Sequence, residues 1–71
     1  MRHNLKKARM DAGLTQEGLA ELLGISSRYY RMIESGTRDG DFEMWDMLED
    51  LFKIHQRVLR LRELPPDEDI Q

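Results

Sequence analysis

The 71-residue sequence contains no cysteine, only two histidines and no long apolar run. Without cysteine the chain forms neither a disulfide nor a thiolate metal cluster, and His3 and His55 stand too far apart in sequence to make a good metal site. No stretch approaches the roughly 20 apolar residues that span a bilayer, and the first residues lack the apolar core of a secretion signal. We therefore expect a single small cytoplasmic domain without metal, cofactor or membrane contact.

Acidic residues outnumber basic ones, and the two signs are unevenly distributed along the chain. The net charge is −3, but residues 1–38 carry seven Lys or Arg against four Asp or Glu, whereas residues 39–71 carry four against ten. An acidic protein of this kind can still present a positive face that attracts nucleic acid. Ordinary solvated surface charge is the alternative interpretation.

The first predicted helix covers residues 4–12. Leu5, Ala8 and Ala12 lie at the spacing of one helical face, and Asn4 is the expected N-cap. The helix is expected to end at the glycine that follows, because a residue without Cβ readily adopts the left-handed conformation that closes many helices.

Two further short helices are predicted on either side of Gly24. Thr15 is the expected N-cap of the first, and Ser26 is that of the second, which closes at Gly36. Each has about eight or nine residues, too few for stability in water, so the two helices must pack against each other. The residues predicted to be buried are Leu19, Leu22 and Leu23 on the first and Tyr30 and Ile33 on the second.

The sequence after a polar loop predicts a fourth helix, a turn and a fifth helix. Asp41 is the expected N-cap of the fourth helix, and we favour a turn near residues 53–55 over one uninterrupted helix. The prolines at 65–66 prevent helical continuation, so the domain is predicted to cover residues 1–64, followed by a disordered acidic tail at 65–71. The fourth helix is expected to bury Phe42, Trp45, Leu48 and Phe52, with Met44 and Leu51 widening the apolar stripe.

Residues 14–26 have the local chemistry of two helices that cross steeply through a short turn. Ala20 is small enough for a close crossing, Gly24 permits a positive φ, Ile25 can fill the angle between the helices, and Ser26 can cap the second helix. This order of residues predicts a helix-turn-helix.

The stretches GLTQEGLAELLGIS and RMIESGTR resemble the Cro and phage-repressor type regulators, also called the xenobiotic-response-element family. The resemblance extends from Leu5 to Leu59. It implies an all-α, lambda-repressor-like domain of four to five short helices that binds double-stranded DNA by sequence and regulates transcription. We do not expect an enzyme, because the sequence has no nucleophile with a neighbouring base and no glycine-rich phosphate loop.

The third helix, at about residues 27–35, is the expected recognition helix, since an α-helix fits the major groove of a duplex. If Tyr30, Ile33 and Glu34 face inward, a helical rotation of about 100° per residue leaves another strip facing outward. A merely solvated helix face is the alternative interpretation. The predicted base contacts on that strip are Ser27, Arg28, Tyr29, Arg31 and Met32.

The resemblance also implies phosphate contacts and one structural ion pair. The phosphate contacts are expected at the start of the second helix and around the end of the third. Arg9 and Glu34 match positions that the family pairs as a partly buried ion pair, which supports the fold and performs no chemistry. The residues implied for phosphate contact are Gln16, Ser35, Thr37 and Arg38.

Two features leave a second function open. Asp39 and Asp41 stand in the loop that should approach phosphate, where like charge lowers affinity. The fold would then serve as a protein-interaction module with weak or no DNA binding. The acidic fourth helix is one candidate surface for a partner protein. Another, which could also pair two copies of the chain, is the stripe of Ile54, Val58, Leu61 and Leu64 on the fifth helix; an intramolecular seam is the simpler explanation of that stripe.

Overall fold

The computed structural model describes residues 1–62 and contains five α-helices over that range. The predicted all-α class and the turn between the last two helices are confirmed. None of these helices is long and apolar enough to cross a membrane. The end of the predicted domain, Leu64 and the predicted tail lie outside the described residues. The helices are α1 (His3–Asp11), α2 (Gln16–Leu23), α3 (Ser27–Ser35), α4 (Phe42–Phe52) and α5 (Gln56–Arg60).

Three of the helices begin at the side-chain caps that the sequence predicts. The side-chain oxygens of Thr15, Ser26 and Asp41 accept backbone N–H bonds from the residues three positions later, at 2.9, 3.0 and 2.9 Å. Such caps satisfy donors that the first turn of a helix leaves unpaired. Gly24 and Gly36 follow α2 and α3 with φ of 75° and 90°, the left-handed conformation that ends these helices.

The N-cap predicted for the first helix is wrong. The helix begins at His3, and Asn4 lies inside its first turn, where its side-chain amide donates to the carbonyl of Val58 at 3.1 Å. Arg2 precedes the helix without a side-chain cap, and its backbone N–H donates to the carbonyl of Glu34 at 2.8 Å. Contacts with α3 and α5, rather than a local cap, therefore accompany the start of α1.

The helix-turn-helix is formed by α2 and α3, which pack directly against each other. Ala20 is buried, and its carbonyl accepts the backbone N–H of Ile25 at 3.0 Å across the turn. Ile25 packs against the core in the angle between the two helices. Because only three residues separate the helices and each is bonded to one of them, α3 is held firmly relative to α2.

The core differs from the predicted stripes at several positions. Leu22 and Phe42 are 55% and 79% exposed, although both were predicted to be buried, and Ala12 and Leu51 are also exposed. On α4 the buried face is centred between the positions of Met44 and Trp45, and Phe42 lies about 100° away from that centre. The buried apolar residues are Leu5, Ala8, Leu19, Ala20, Leu23, Tyr30, Ile33, Met44, Trp45, Leu48 and Leu59.

Lys53 closes α4 in a conformation that suits glycine. Its φ is 59°, and within residues 1–62 it is the one residue other than glycine with a positive φ. A side chain at Cβ makes this conformation unfavourable, so we expect Lys53→Gly to raise the free energy of unfolding by about 0.5–1 kcal/mol. Urea unfolding measures this change. Lys53→Ala, which keeps Cβ and removes the charge, should give no such gain, and equal gains from both variants would contradict the backbone explanation.

Candidate nucleic-acid interface

The helix α3 has an inner face buried in the core and an outer face open to solvent. Tyr30, Ile33 and Glu34 are each at most 1% exposed, as the sequence interpretation assumed. Arg28 and Arg31, on the opposite side, are exposed, whereas three other residues of the predicted strip are half-buried: Ser27, Tyr29 and Met32. Most of the solvent-exposed surface of this face therefore belongs to Arg28 and Arg31, and the half-buried neighbours add smaller areas.

The candidate base-contact residues differ in how freely they can move. Tyr29 packs partly against the core, which limits its reach. Arg31 lies 3.6 Å from Glu17, and both side chains are more than half exposed. A surface ion pair of this kind contributes about 0–1 kcal/mol, so it leaves the guanidinium of Arg31 available to another anion.

Beneath α3, Glu34 is the centre of a buried hydrogen-bond cluster. Arg9 donates through Nε to Oε2 at 2.8 Å and through Nη2 to Oε1 at 3.3 Å. Tyr30 donates its hydroxyl to Oε2 at 2.7 Å, and Gln16 donates its amide to Oε1 at 3.0 Å. The cluster joins α1, α2 and α3 through Arg9, Gln16 and Glu34. Arg9 also donates to the carbonyl of Leu14, between α1 and α2, at 2.8 Å.

The electrostatics of this cluster keep Glu34 ionised. Burial by itself raises the pKa of Glu34, but the hydrogen bonds from Arg9, Tyr30 and Gln16 outweigh burial and hold the pKa below its ordinary value. The bond to Glu34 raises the pKa of Arg9, and burial together with the same carboxylate raises the pKa of Tyr30. The cluster therefore holds a charged pair with a neutral phenol.

The candidate phosphate contacts gather around the two ends of the helix-turn-helix. Gln16 is half-buried at the start of α2 and is attached to Glu34 near the end of α3. Ser35 and Thr37 are exposed, and their hydroxyls lie 2.9 Å apart. Arg38 is exposed in the loop that follows. The structure thus brings Ser35 and Thr37 into contact and links Gln16 to the same helix through Glu34.

The loop between α3 and α4 is held from several sides. Arg2 donates to the carbonyls of Ile33 and Arg38 on either side of the α3 terminus and to that of Arg60 in α5, the last two at 2.9 and 3.0 Å. Its guanidinium also lies 5.2 Å from the centre of the Trp45 ring. Trp45 in turn donates its indole N–H to the carbonyl of Asp39 at 2.8 Å. The loop is fixed before any ligand binds.

Sequence reasoning missed Arg2 as a structural residue. It is 2% exposed, among the largest fully buried side chains of the described part of the chain. No sequence pattern around Arg2 distinguishes it from an arginine on the surface. The carbonyls that it contacts belong to residues at least 31 positions away.

The two acidic residues of the loop are engaged within the domain. Asp39 accepts a hydrogen bond from Arg62 and lies 3.9 Å from Arg2. Asp41 caps α4 through its carboxylate. Neighbouring cations and helix N-termini partly offset negative charge, so these aspartates repel phosphate less than the sequence suggests.

The predicted apolar stripe of the fifth helix is not a single helical face. Ile54 lies in the turn before α5 and packs against the core, and Leu61 follows the helix. Val58 and Leu61 are 44% and 52% exposed, while Leu59, which was not predicted, is fully buried. The rotation of α5 about its axis turns Leu59 toward the core, and Val58, about 100° away, faces solvent.

The five helices within residues 1–62 include a helix-turn-helix whose second helix is exposed and carries two arginines, and this arrangement defines a helix-turn-helix protein. The chain belongs to the helix-turn-helix family, whose model matches residues 5–55. It is 53% identical over 38 residues to the uncharacterized HTH-type transcriptional regulator YqaF of Bacillus subtilis (strain 168), a match that covers 54% of this chain and about half, 50%, of that protein. No solved structure gives a significant match. The family expected from the sequence motifs is thus confirmed.

Proposed function

We propose that this chain binds double-stranded DNA by sequence, with α3 in the major groove, and acts in the regulation of transcription. The observation that carries the proposal is α3 itself, braced on one side by the core and by the Glu34 cluster, with Arg28 and Arg31 exposed on the other. Guanidinium groups can donate two parallel hydrogen bonds to guanine. Membership of the helix-turn-helix family and the similarity to a named transcriptional regulator support this function.

The remaining candidate residues take supporting roles in the proposal. Ser27 and Tyr29 flank the arginines, and Met32 can contact a thymine methyl group. Phosphate oxygens are bound on the two sides of the groove by Gln16 with the N-terminus of α2, and by the end of α3 and its loop. The residues at that second position are Ser35, Thr37 and Arg38.

Two copies binding one site would match the symmetry of a palindromic target. Exposed apolar groups suited to such a contact are Val58 and Leu61, near the end of the described chain. A symmetric pair would present its two α3 helices about 34 Å apart, one turn of the duplex. The proposed function takes place in the cytoplasm and requires neither a catalytic site nor a cofactor.

Selection from a randomised duplex pool tests the function and the residues together. We expect a preferred sequence, and we expect Arg28→Ala and Arg31→Ala each to weaken binding to it by about 1–3 kcal/mol and to relax the preference at one base pair. A symmetric selected site with half-sites one turn apart would support the dimer.

Lys7→Ala serves as the control, because it removes the same charge from the exposed face of α1. It should leave the base preference unchanged. Affinity should fall with salt by a slope of about −0.9 for each phosphate contacted. The absence of a salt slope would contradict the proposal and favour the protein-interaction module. A base preference that persists unchanged in both α3 variants would instead place base recognition at other residues.

A further inference from the structure

A surface pocket between α5 and the loop after α3 has a predominantly cationic wall. The cavity measures about 520 Å³, and four arginines contribute to it. One of them is the buried Arg2, and the other three belong to α5 or follow it. The arginines are Arg2, Arg57, Arg60 and Arg62.

Within residues 1–62, the arginines of the pocket are only partly neutralised by neighbouring carboxylates. Asp39 is the one carboxylate among the described residues of the wall, and Arg62 donates to it. Arg57 and Arg60 make no ion pair with any residue between 1 and 62. Arg60 instead lies over the Trp45 ring, 5.8 Å from its centre.

Both burial and the neighbouring arginines act on the pKa of Arg2. It lies below its ordinary value, first because the guanidinium is buried and then because Arg62 and Arg60 repel it, although Asp39 acts in the opposite direction. Among the residues that the structure describes, one carboxylate therefore does not balance the cations of the wall, and an added anion would relieve their mutual repulsion.

We propose that this pocket binds a phosphate group through Arg57 and Arg60, while Arg62, whose two Nη groups donate to Gly36 and Asp39, adds positive charge to the wall. A guanidinium presents a planar pair of donors that matches two phosphate oxygens, and the cavity has the size of sites that hold small molecules rather than single ions. The phosphate comes either from the backbone of bound DNA or from a soluble phosphorylated compound. A DNA phosphate could reach the pocket because the wall residue Asp39 belongs to the loop that the proposed function places beside the DNA backbone. This source therefore rests on the proposed function. Binding of a phosphate group as such does not depend on that function.

A titration without DNA tests the pocket directly. Inorganic pyrophosphate is added to the full chain at constant ionic strength, and backbone amide shifts are followed by NMR. We expect saturable shifts at residues 55–62 and at Asp39, and we expect Arg57→Gln to weaken binding about three- to tenfold. Arg57 is exposed, so its replacement should leave the fold intact. Lys7→Gln, which removes one positive charge outside the pocket, should leave the affinity unchanged.

The salt dependence of DNA binding then separates the two sources of phosphate. If the DNA backbone occupies the pocket, Arg57→Gln reduces the slope of log affinity against log salt by about 0.9, and a soluble compound leaves the slope unchanged. Pyrophosphate binding with an unchanged slope therefore supports the soluble source. The proposal is overturned if pyrophosphate gives no saturable shifts in the pocket and the slope is also unchanged, or if the two variants weaken binding equally. A chain that binds pyrophosphate but no DNA would contradict only the proposed function.

Discussion

Glu34→Ala should lower the free energy of unfolding by about 3–5 kcal/mol, because it leaves a buried guanidinium and a buried hydroxyl without their acceptor. The side chains of Glu34 and Arg9 are 2% and 11% exposed, so water cannot readily replace the carboxylate. The free energy of unfolding of a small domain is only about 5–15 kcal/mol, so the expected loss is a large fraction of the total stability. Urea unfolding followed by circular dichroism measures it.

Glu21→Ala is the matched control, since it removes an exposed glutamate of α2 and should change stability by less than about 0.5 kcal/mol.

The pH dependence of stability tests the same interaction in a second way. The folded pKa of Glu34 lies below the ordinary 4.5, so its charge stabilises the fold above that pH and the contribution is lost as pH falls through the folded pKa. The stability difference between the unmodified chain and Glu34→Gln should therefore shrink in acid. A difference that stays constant down to that range would contradict a charge-dependent role.

The second large effect is expected for Arg2→Ala, which should cost at least about 3 kcal/mol. The substitution removes the donors to three backbone carbonyls and the cation above Trp45, and each buried group left unpaired costs about 1–3 kcal/mol. The loop after α3 should also loosen. Thermal unfolding measures the first effect, and faster hydrogen exchange of the Thr37 and Arg38 amides, which donate to the carbonyl of Met32, measures the second.

Lys7→Ala provides the comparison for Arg2→Ala, because Lys7 is a basic residue of α1 whose pair with Asp11 is exposed. We expect a change within about 0.5 kcal/mol. If Arg2→Ala cost less than about 1 kcal/mol, water would be replacing the guanidinium at the three carbonyls, and Arg2 would not be what holds the loop.

Glu34 and Arg2 show how far the structure can be predicted from the sequence. The pairing of Arg9 with Glu34 was expected because the motif around α2 and α3 implied it, and the structure adds the roles of Tyr30 and Gln16 in the same cluster. Arg2 belongs to no motif. Its partners lie 31 to 58 residues away, and only the packing of α1 against α5 and α3 brings them within reach.

By itself the sequence determined the caps of α2, α3 and α4, the glycine turns and the helix-turn-helix, because each depends on groups within about four residues of one another. The tertiary structure alone decided which apolar residues are buried at the edges of each stripe, so that Leu59 enters the core while Leu22 and Phe42 remain exposed. It also decided where the N-terminal arginine binds. These outcomes depend on how helices distant in sequence meet, and a rotation of about 100°, one residue along a helix, is enough to exchange a buried position for an exposed one.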